Sequence, residues 1–197
     1  MTDSVVSRRT AWLRFTLVAV VALIADVITK IVAVANLRPG EPVPLIGDLL
    51  RLYLIRNPGA AFSIGGGATW IFTLLAVAVL VFLLGWVVPG LRHGGWAVGL
   101  GLVSAGITGN LLDRIFRQPG FAHGHVVDFL QLPYWPIFNI ADMCVVFGAA
   151  TIMFFWLIRG VGHDGVPEKE REAVRAAHTA GDGDPSARQS AAGECER

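Results

Sequence analysis

Of 197 residues, 54% are hydrophobic and only 16% charged, a membrane composition that leaves little material for a separate soluble domain. A formal charge of +1 without a basic stripe gives no footprint for nucleic acid, and none is expected as a partner. The two cysteines, Cys144 and Cys195, match no metal-ligand spacing and are badly placed to bridge.

A short segment, 1–12, precedes the first apolar run. Crossing a hydrocarbon core takes about 20 apolar residues, and runs of that length occur at 13–35, 68–88, 94–112 and 136–158. The first contains Asp26 and Lys30, four apart on one helical face with the acid N-terminal to the base, a favourable pairing order. Arg8-Arg9 and Ala33-Val34-Ala35 imitate a secretory signal, but an ion pair does not belong in a signal's apolar region, so the span is expected to be retained. Residues 37–44, rich in proline and glycine, read as a turn. Over 49–55, Leu50, Leu52 and Leu54 alternate with Arg51 and Tyr53, which predicts a strand. It leads into Asn57-Pro-Gly59-Ala-Ala-Phe62, and a small sheet on the outer membrane surface is expected. The second and third spans carry no charge and the second shows no polar face for water. The short turn over 88–95 makes them antiparallel neighbours. Residues 113–135 form a second large loop, in which Asp128, between Val127 and Phe129, dips back toward the membrane. The fourth span carries Asp142. From Gly160 the chain turns glycine-, alanine- and charge-rich, predicting a disordered cytoplasmic tail over 160–197 with at most a transient helix over 168–177.

Arg8, Arg9 and Arg14 at the first span, Arg92 between the second and third, and Arg159 after the fourth place both termini in the cytoplasm. The bias is modest, because Arg38, Arg51, Arg56, Arg114 and Arg117 fall on the other side. Loops 36–67 and 113–135 then face outward. The expected fold is a membrane all-α protein with a small β element, a four-transmembrane-helix bundle over 13–159.

Ionisable groups at membrane depth are site hypotheses by default. Asp26, Asp113 and Asp142 all fall toward the outer face and can meet. Asn110 with Asp113, and Asn139 with Asp142, are each three apart, on one helical face. Peptide hydrolysis by two carboxylates needs one ionised, to take a proton from water, and one protonated, to support the carbonyl; close like charges enforce that split. Asp128 and Asp142, set among apolar neighbours, read as the best-buried acids and as the pair. Asp113, beside Arg114 and Asn110, suits a structural acid that clamps a loop, and Asp26 suits a partner for Lys30. Asn110 and Asn139 either satisfy neighbouring backbone or orient a reacting carbonyl. His123 and His125 lack the helical spacing of a zinc peptidase, and Ser63 and Ser104 lack a matching base; no metal or cofactor is expected. The rival from another class is a transporter or proton pathway using the same acids, but the second and third spans hold no ionisable residue below Asp113.

Five segments in order, Asp26-x-x-x-Lys30, 57–62, Gly109-Asn-Leu-Leu-Asp-Arg114, Val126-Val-Asp-Phe129 and Phe138-Asn-Ile-Ala-Asp142, resemble the lipoprotein signal peptidase (signal peptidase II) family over roughly 11–159. The resemblance implies a multi-pass aspartic endopeptidase of the bacterial cytoplasmic membrane. Its partner would be a prolipoprotein bearing a diacylglyceryl cysteine, cut just before that cysteine, with the active site near the outer face and membrane lipids around it. It further implies Asp128 and Asp142 as catalytic residues. Asn57, Gly59, Asn110, Asp113, Arg114, Asn139, Asp26 and Lys30 are implied as substrate-binding or supporting, with an extracytoplasmic β cradle over the 41–66 region. The compact 129–141 stretch and the long tail after Arg159 depart from the family's usual form.

Overall fold

A computed structural model describes residues 5–59 and 69–182. Among the described residues, four helical stretches are long and apolar enough to cross a membrane: Arg8–Asn36, Thr69–Gly90, Gly94–Phe116 and Ile140–Ile158. Helix α1 (Arg8–Asn36) starts at Ser7, whose side chain accepts from the Thr10 amide at 3.1 Å. Helix α2 (Thr69–Phe82) runs on through a π turn, Leu83–Val87, and a short 3-10 turn, Val88–Gly90. Helix α3 (Gly94–Phe116) is central, packing on α1, α2 and α4 (Ile140–Met153, extended by a π turn, Phe154–Ile158).

Between lipid-facing helices there is little hydrophobic drive, so association rests on close packing of small residues. A Cβ at Gly99 of α3 would lie 3.0 Å from the Gly148 carbonyl oxygen of α4, and a Cβ at Gly148 would lie 2.7 Å from the Gly99 oxygen. On the other side of α3, a Cβ at Gly101 would lie 2.9 Å from the Phe15 oxygen of α1. One helix can therefore touch two backbones at once.

Strands β1 (Val43–Ile46), β2 (Leu50–Asn57) and β3 (Val126–Gln131) form an antiparallel sheet in that order. The predicted strand over 49–55 is present as β2; β1 takes part of the stretch expected as a turn, and β3 replaces the expected re-entrant loop. Leu54, Val127 and Phe129 pack with Ala33, so the sheet sits on the C-terminal end of α1. In register, Asn57 lies opposite Val126 and Ile55 opposite Asp128. The fourth span starts later than expected. Phe138 is bound to β3 instead (Leu130 N–H to Phe138 O, 2.8 Å; Phe138 N–H to Leu130 O, 2.9 Å), and Asn139 starts the helix.

At the opposite end of the bundle the 160–182 stretch is folded where a disordered tail was expected. The backbone turns back at Gly160 and Gly165, both with positive φ, conformations that glycine adopts without steric cost. His163 O then accepts from the Arg92 and His93 amides at 2.9 and 3.1 Å, Val6 donates to Arg92 O at 2.8 Å, and the Trp96 indole donates to Val161 O at 2.8 Å. Val161 is buried, and helix α5 (Glu168–Asp182) follows, with Arg171 paired to Asp164. Composition hid this because the order comes from backbone bonds to distant segments rather than from large apolar side chains. Trp96→Phe, which deletes one of these bonds, is expected to cost about 1 kcal/mol, read as a lower midpoint of thermal unfolding in detergent.

Candidate active site

Lys30 is 1% exposed, and its ammonium meets three oxygens: Asp26 Oδ2 at 2.9 Å, Asp113 Oδ2 at 3.1 Å and Asn110 Oδ1 at 3.0 Å. The contact to Asn110 is a hydrogen bond and the other two are ion pairs, which together hold the cation out of water. The expected Asp26–Lys30 pair is present, and Gly109 makes room for it, since a Cβ there would collide with the Asp26 carboxylate. The other Asp26 oxygen accepts from the Ala141 amide at 2.9 Å, one of the first-turn donors of α4 that have no partner within the helix. α1 thereby fixes the start of α4.

Asp113 clamps a loop, but not with Arg114. Its Oδ2 accepts from the Val127 amide of β3 at 3.1 Å, and its Oδ1 is bonded by Arg117, one helical turn on. The i, i+4 spacing of Asp113 and Arg117 was the available signal for this partner. Arg114 points elsewhere: it donates to the Asn110 carbonyl at 3.3 Å and its guanidinium lies 5.7 Å over the Phe72 ring.

Asn139 is not on a helical face with Asp142, as its spacing had suggested. It is the N-cap of α4 in extended backbone, and Asp142 is the third residue of the helix. The Asn139 side chain accepts from the Asp142 amide at 3.0 Å while Asp142 Oδ2 accepts from the Asn139 amide at 3.1 Å, a reciprocal capping box. Asp142 thus lies at the positive end of the helix dipole, which favours a negative charge. The sequence signal was Asn-x-x-Asp ahead of an apolar run.

Two asparagines carry the hydrogen bonds between the acids. Asn139, with 0% exposure, donates to Asp128 Oδ1 at 2.6 Å and to Asn110 Oδ1 at 3.2 Å; Asn110 donates to Asp142 Oδ1 at 2.8 Å. From β2, Asn57 donates to Asp128 Oδ2 at 2.8 Å, and its own oxygen accepts from the Gly59 amide at 2.8 Å. The Asn110 and Asn139 amides both donate to carboxylates, a use that neither expected role, satisfying neighbouring backbone or orienting a reacting carbonyl, had described.

Asp128 is 1% exposed, whereas Asp142 is half-buried. The expectation that both are the best-buried acids is corrected: among the described residues Asp26, Asp113 and Asp128 are the buried ones. Burial pushes the Asp128 carboxyl up to about 6, against the hydrogen bond from Asn57; the Asp142 charge adds to the rise, and Asn139 and Lys30 oppose it. His123 is exposed, with Nδ1 3.0 Å from the Phe121 oxygen, and among the described residues no group of three His, Cys, Asp or Glu side chains is placed to hold a metal ion. Ala60 to Ser63 lie outside the described residues.

Residues 18–158 match the family model described as signal peptidase (SPase) II. Similar proteins named lipoprotein signal peptidase come from Leifsonia xyli subsp. xyli (48% identical over 171 residues, 84% of this chain and 78% of the relative) and Rhodococcus jostii (51% over 148 residues, 75% and 74%). One from Mycobacterium tuberculosis is 47% identical over 155 residues, covering 79% and 76%. Among solved structures, one described as a bacterial membrane enzyme is similar with a TM-score of 0.66 at 27% identity, covering 80% of this chain and 97% of that one. A second, described in the same terms, has a TM-score of 0.64 at 29% identity, covering 73% and 87%. With four apolar helices, a three-stranded sheet and more than half its length matched by one family model, the chain belongs to the signal peptidase II family.

Proposed function

We propose that residues 13–159 form an aspartic endopeptidase domain that removes signal peptides from prolipoproteins, cutting before a cysteine that carries diacylglycerol, with Asp128 and Asp142 as its catalytic pair. One observation carries this reading: a buried acid and a half-buried acid are both bonded by Asn139, whose side-chain amide donates to Asp128 Oδ1 and whose backbone N–H donates to Asp142 Oδ2. A proton pathway has no such support, since α2 holds no ionisable residue and the acids gather at the sheet end.

Asp142, at its helix start, is the ionised member and takes a proton from water as the water oxygen attacks the scissile carbonyl. Asp128 holds the other proton and gives it to the carbonyl oxygen, supporting the tetrahedral centre. When that centre collapses, the amine leaves with the proton from Asp142, and Asp128 recovers its own from the gem-diol hydroxyl. Asn57, Asn110 and Asn139 keep both carboxyls aimed; Gly59 holds the Asn57 turn; Asp26, Lys30 and Asp113 lock the helices beneath. Arg114 stands over Phe72 as a cation beside the pair. The diacylglyceryl chains stay in hydrocarbon, so membrane partitioning supplies much of the affinity. The protein is placed in the bacterial cytoplasmic membrane with both termini in the cytoplasm and the sheet outside.

In detergent micelles, the purified protein is expected to cleave a diacylglyceryl-modified precursor peptide at the bond before the cysteine and to leave the unmodified peptide nearly intact. Equal cleavage of both, or of neither, removes the substrate assignment. The Asp128 carboxyl supplies a pH test. Its value in the fold lies above the ordinary 3.8, so protonation is favoured; its stabilising contribution is complete below about 4 and declines as pH rises through about 6. Because the mechanism uses this proton, kcat/KM is expected to fall as pH rises through the same region.

A further inference from the structure

Helix α2 is apolar throughout its described length except for one face. Thr69 and Thr73, four apart and both buried, turn inward, with Phe72 between them. The Thr69 hydroxyl donates to the Pro58 carbonyl at 2.9 Å, and the Thr73 hydroxyl donates to the Ala122 carbonyl at 2.8 Å. Pro58 lies inside the turn closed by Gly59 N–H onto Asn57, whose amide bonds Asp128. Ala122, with a positive φ of 63°, lies in the loop that feeds β3, the strand of Asp128. Phe72 completes the face. Gly59 has φ +96°, and a Cβ there would meet Phe72 Cε2 at 2.7 Å, while the Arg114 guanidinium covers the same ring.

Thr69 is the first residue of α2; its hydroxyl bonds a segment earlier in the chain, and its short side chain leaves little play in the position of Pro58. Asn57 is the last residue of β2, in register opposite Val126, and Pro58 lies beyond the sheet. We infer that the Thr69–Phe72–Thr73 face of α2 is a positioning surface for the reaction, with Thr69 holding the Asn57 turn so that the Asn57 amide stays on Asp128. This rests on the assignment of Asp128 as a catalytic residue. Thr69 touches neither acid; it acts through the turn.

The charged groups facing Asp128 are Asp142 from α4, Lys30 from α1, and Arg114 and Asp113 from α3, and none of them is bonded by Thr69. Among the described residues, a change at Thr69 therefore reaches the Asp128 proton through Asn57. The test is the pH profile of kcat/KM on the diacylglyceryl-modified precursor peptide for Thr69→Val, Thr69→Ser and Asn57→Ala. Valine keeps the shape and deletes the hydroxyl. Losing a hydrogen bond to the ionised carboxylate raises its pKa, so Thr69→Val and Asn57→Ala are both expected to move the Asp128 limb upward, by about half a pH unit for a bond of ordinary strength. Thr69→Ser restores the wild-type profile.

A Thr69→Val profile superimposed on wild type, or a lower unfolding midpoint with the limb unmoved, overturns the inference. A serine variant shifted as far as valine does the same. Failure of the underlying reading looks different. If Asp128→Asn retains turnover, Asp128 is not catalytic; if Asp128→Asn is inactive while Thr69→Val matches wild type, only the role of α2 is lost.

Discussion

Asp128→Asn and Asp142→Asn are each expected to reduce cleavage of the lipidated precursor to background, a fall in kcat/KM of about a thousandfold or more, as for loss of a positioned general acid or base. The two variants should fail for different reasons. Both oxygens of Asp128 accept from amide N–H groups, those of Asn57 and Asn139. An asparagine there must turn its own NH2 toward one of these donors, so Asp128→Asn loses a hydrogen bond together with its acid. At Asp142 the same exchange leaves one acceptor for two donors, the Asn110 side chain and the Asn139 amide, and removes a charge from a helix start. Each change is expected to lower stability by about 1–2 kcal/mol, well short of unfolding a typical domain, so an inactive but folded protein is the expected sample. Thermal unfolding in detergent verifies the fold, and peptide cleavage reports the chemistry. Turnover near wild type in either folded variant removes that acid from the pair.

Much of this site could be read in the chain because its polar residues stand out against an apolar background. Asp26 and Lys30 announced each other by spacing, and Asp113, Asp128 and Asp142 stood out by their apolar surroundings. What stayed hidden was decided by tertiary contact. Whether Asn139 is helical depends on where α4 begins, and that start is set by the bonds of Phe138 to β3 and by Asp26 on the Ala141 amide. Asp113 chose Lys30 and Arg117 over the adjacent Arg114 because consecutive residues on a helix point about 100° apart. The hydroxyls of Thr69 and Thr73 passed as part of an apolar span, since threonine bonded within its own helix is unremarkable in sequence. The fold after Gly160 was missed for the same reason: backbone bonds to Arg92 and His93 leave no mark in composition.

Lys30→Met is expected to be the most damaging single change to the fold. Methionine fills nearly the same space but removes what is, among the described residues, the only cation that touches Asp26 and one of two on Asp113, both acids being buried. Breaking a buried ion pair from one side costs about 3–5 kcal/mol, because the remaining charge stays out of water unpaired. For a chain of this length that corresponds to a fall in unfolding midpoint of about 10 °C. The damage should centre on Asp26, since Asp113 keeps Arg117 and the Val127 amide. Asp26→Asn added to Lys30→Met removes the stranded charge while an amide oxygen can still accept from the Ala141 N–H, so the double variant should recover a large part of the loss. Asp113→Asn added instead should recover little, because Asp113 is not the stranded acid. A Lys30→Met midpoint within a few degrees of wild type, or equal rescue by the two second changes, contradicts this account of the ion cluster. Activity gives an independent readout: Lys30 and Asn139 both hold Asn110, and Asn110 holds Asp142, so even the rescued double variant should cleave more slowly than wild type, with Asn110 fixed from one side in place of two.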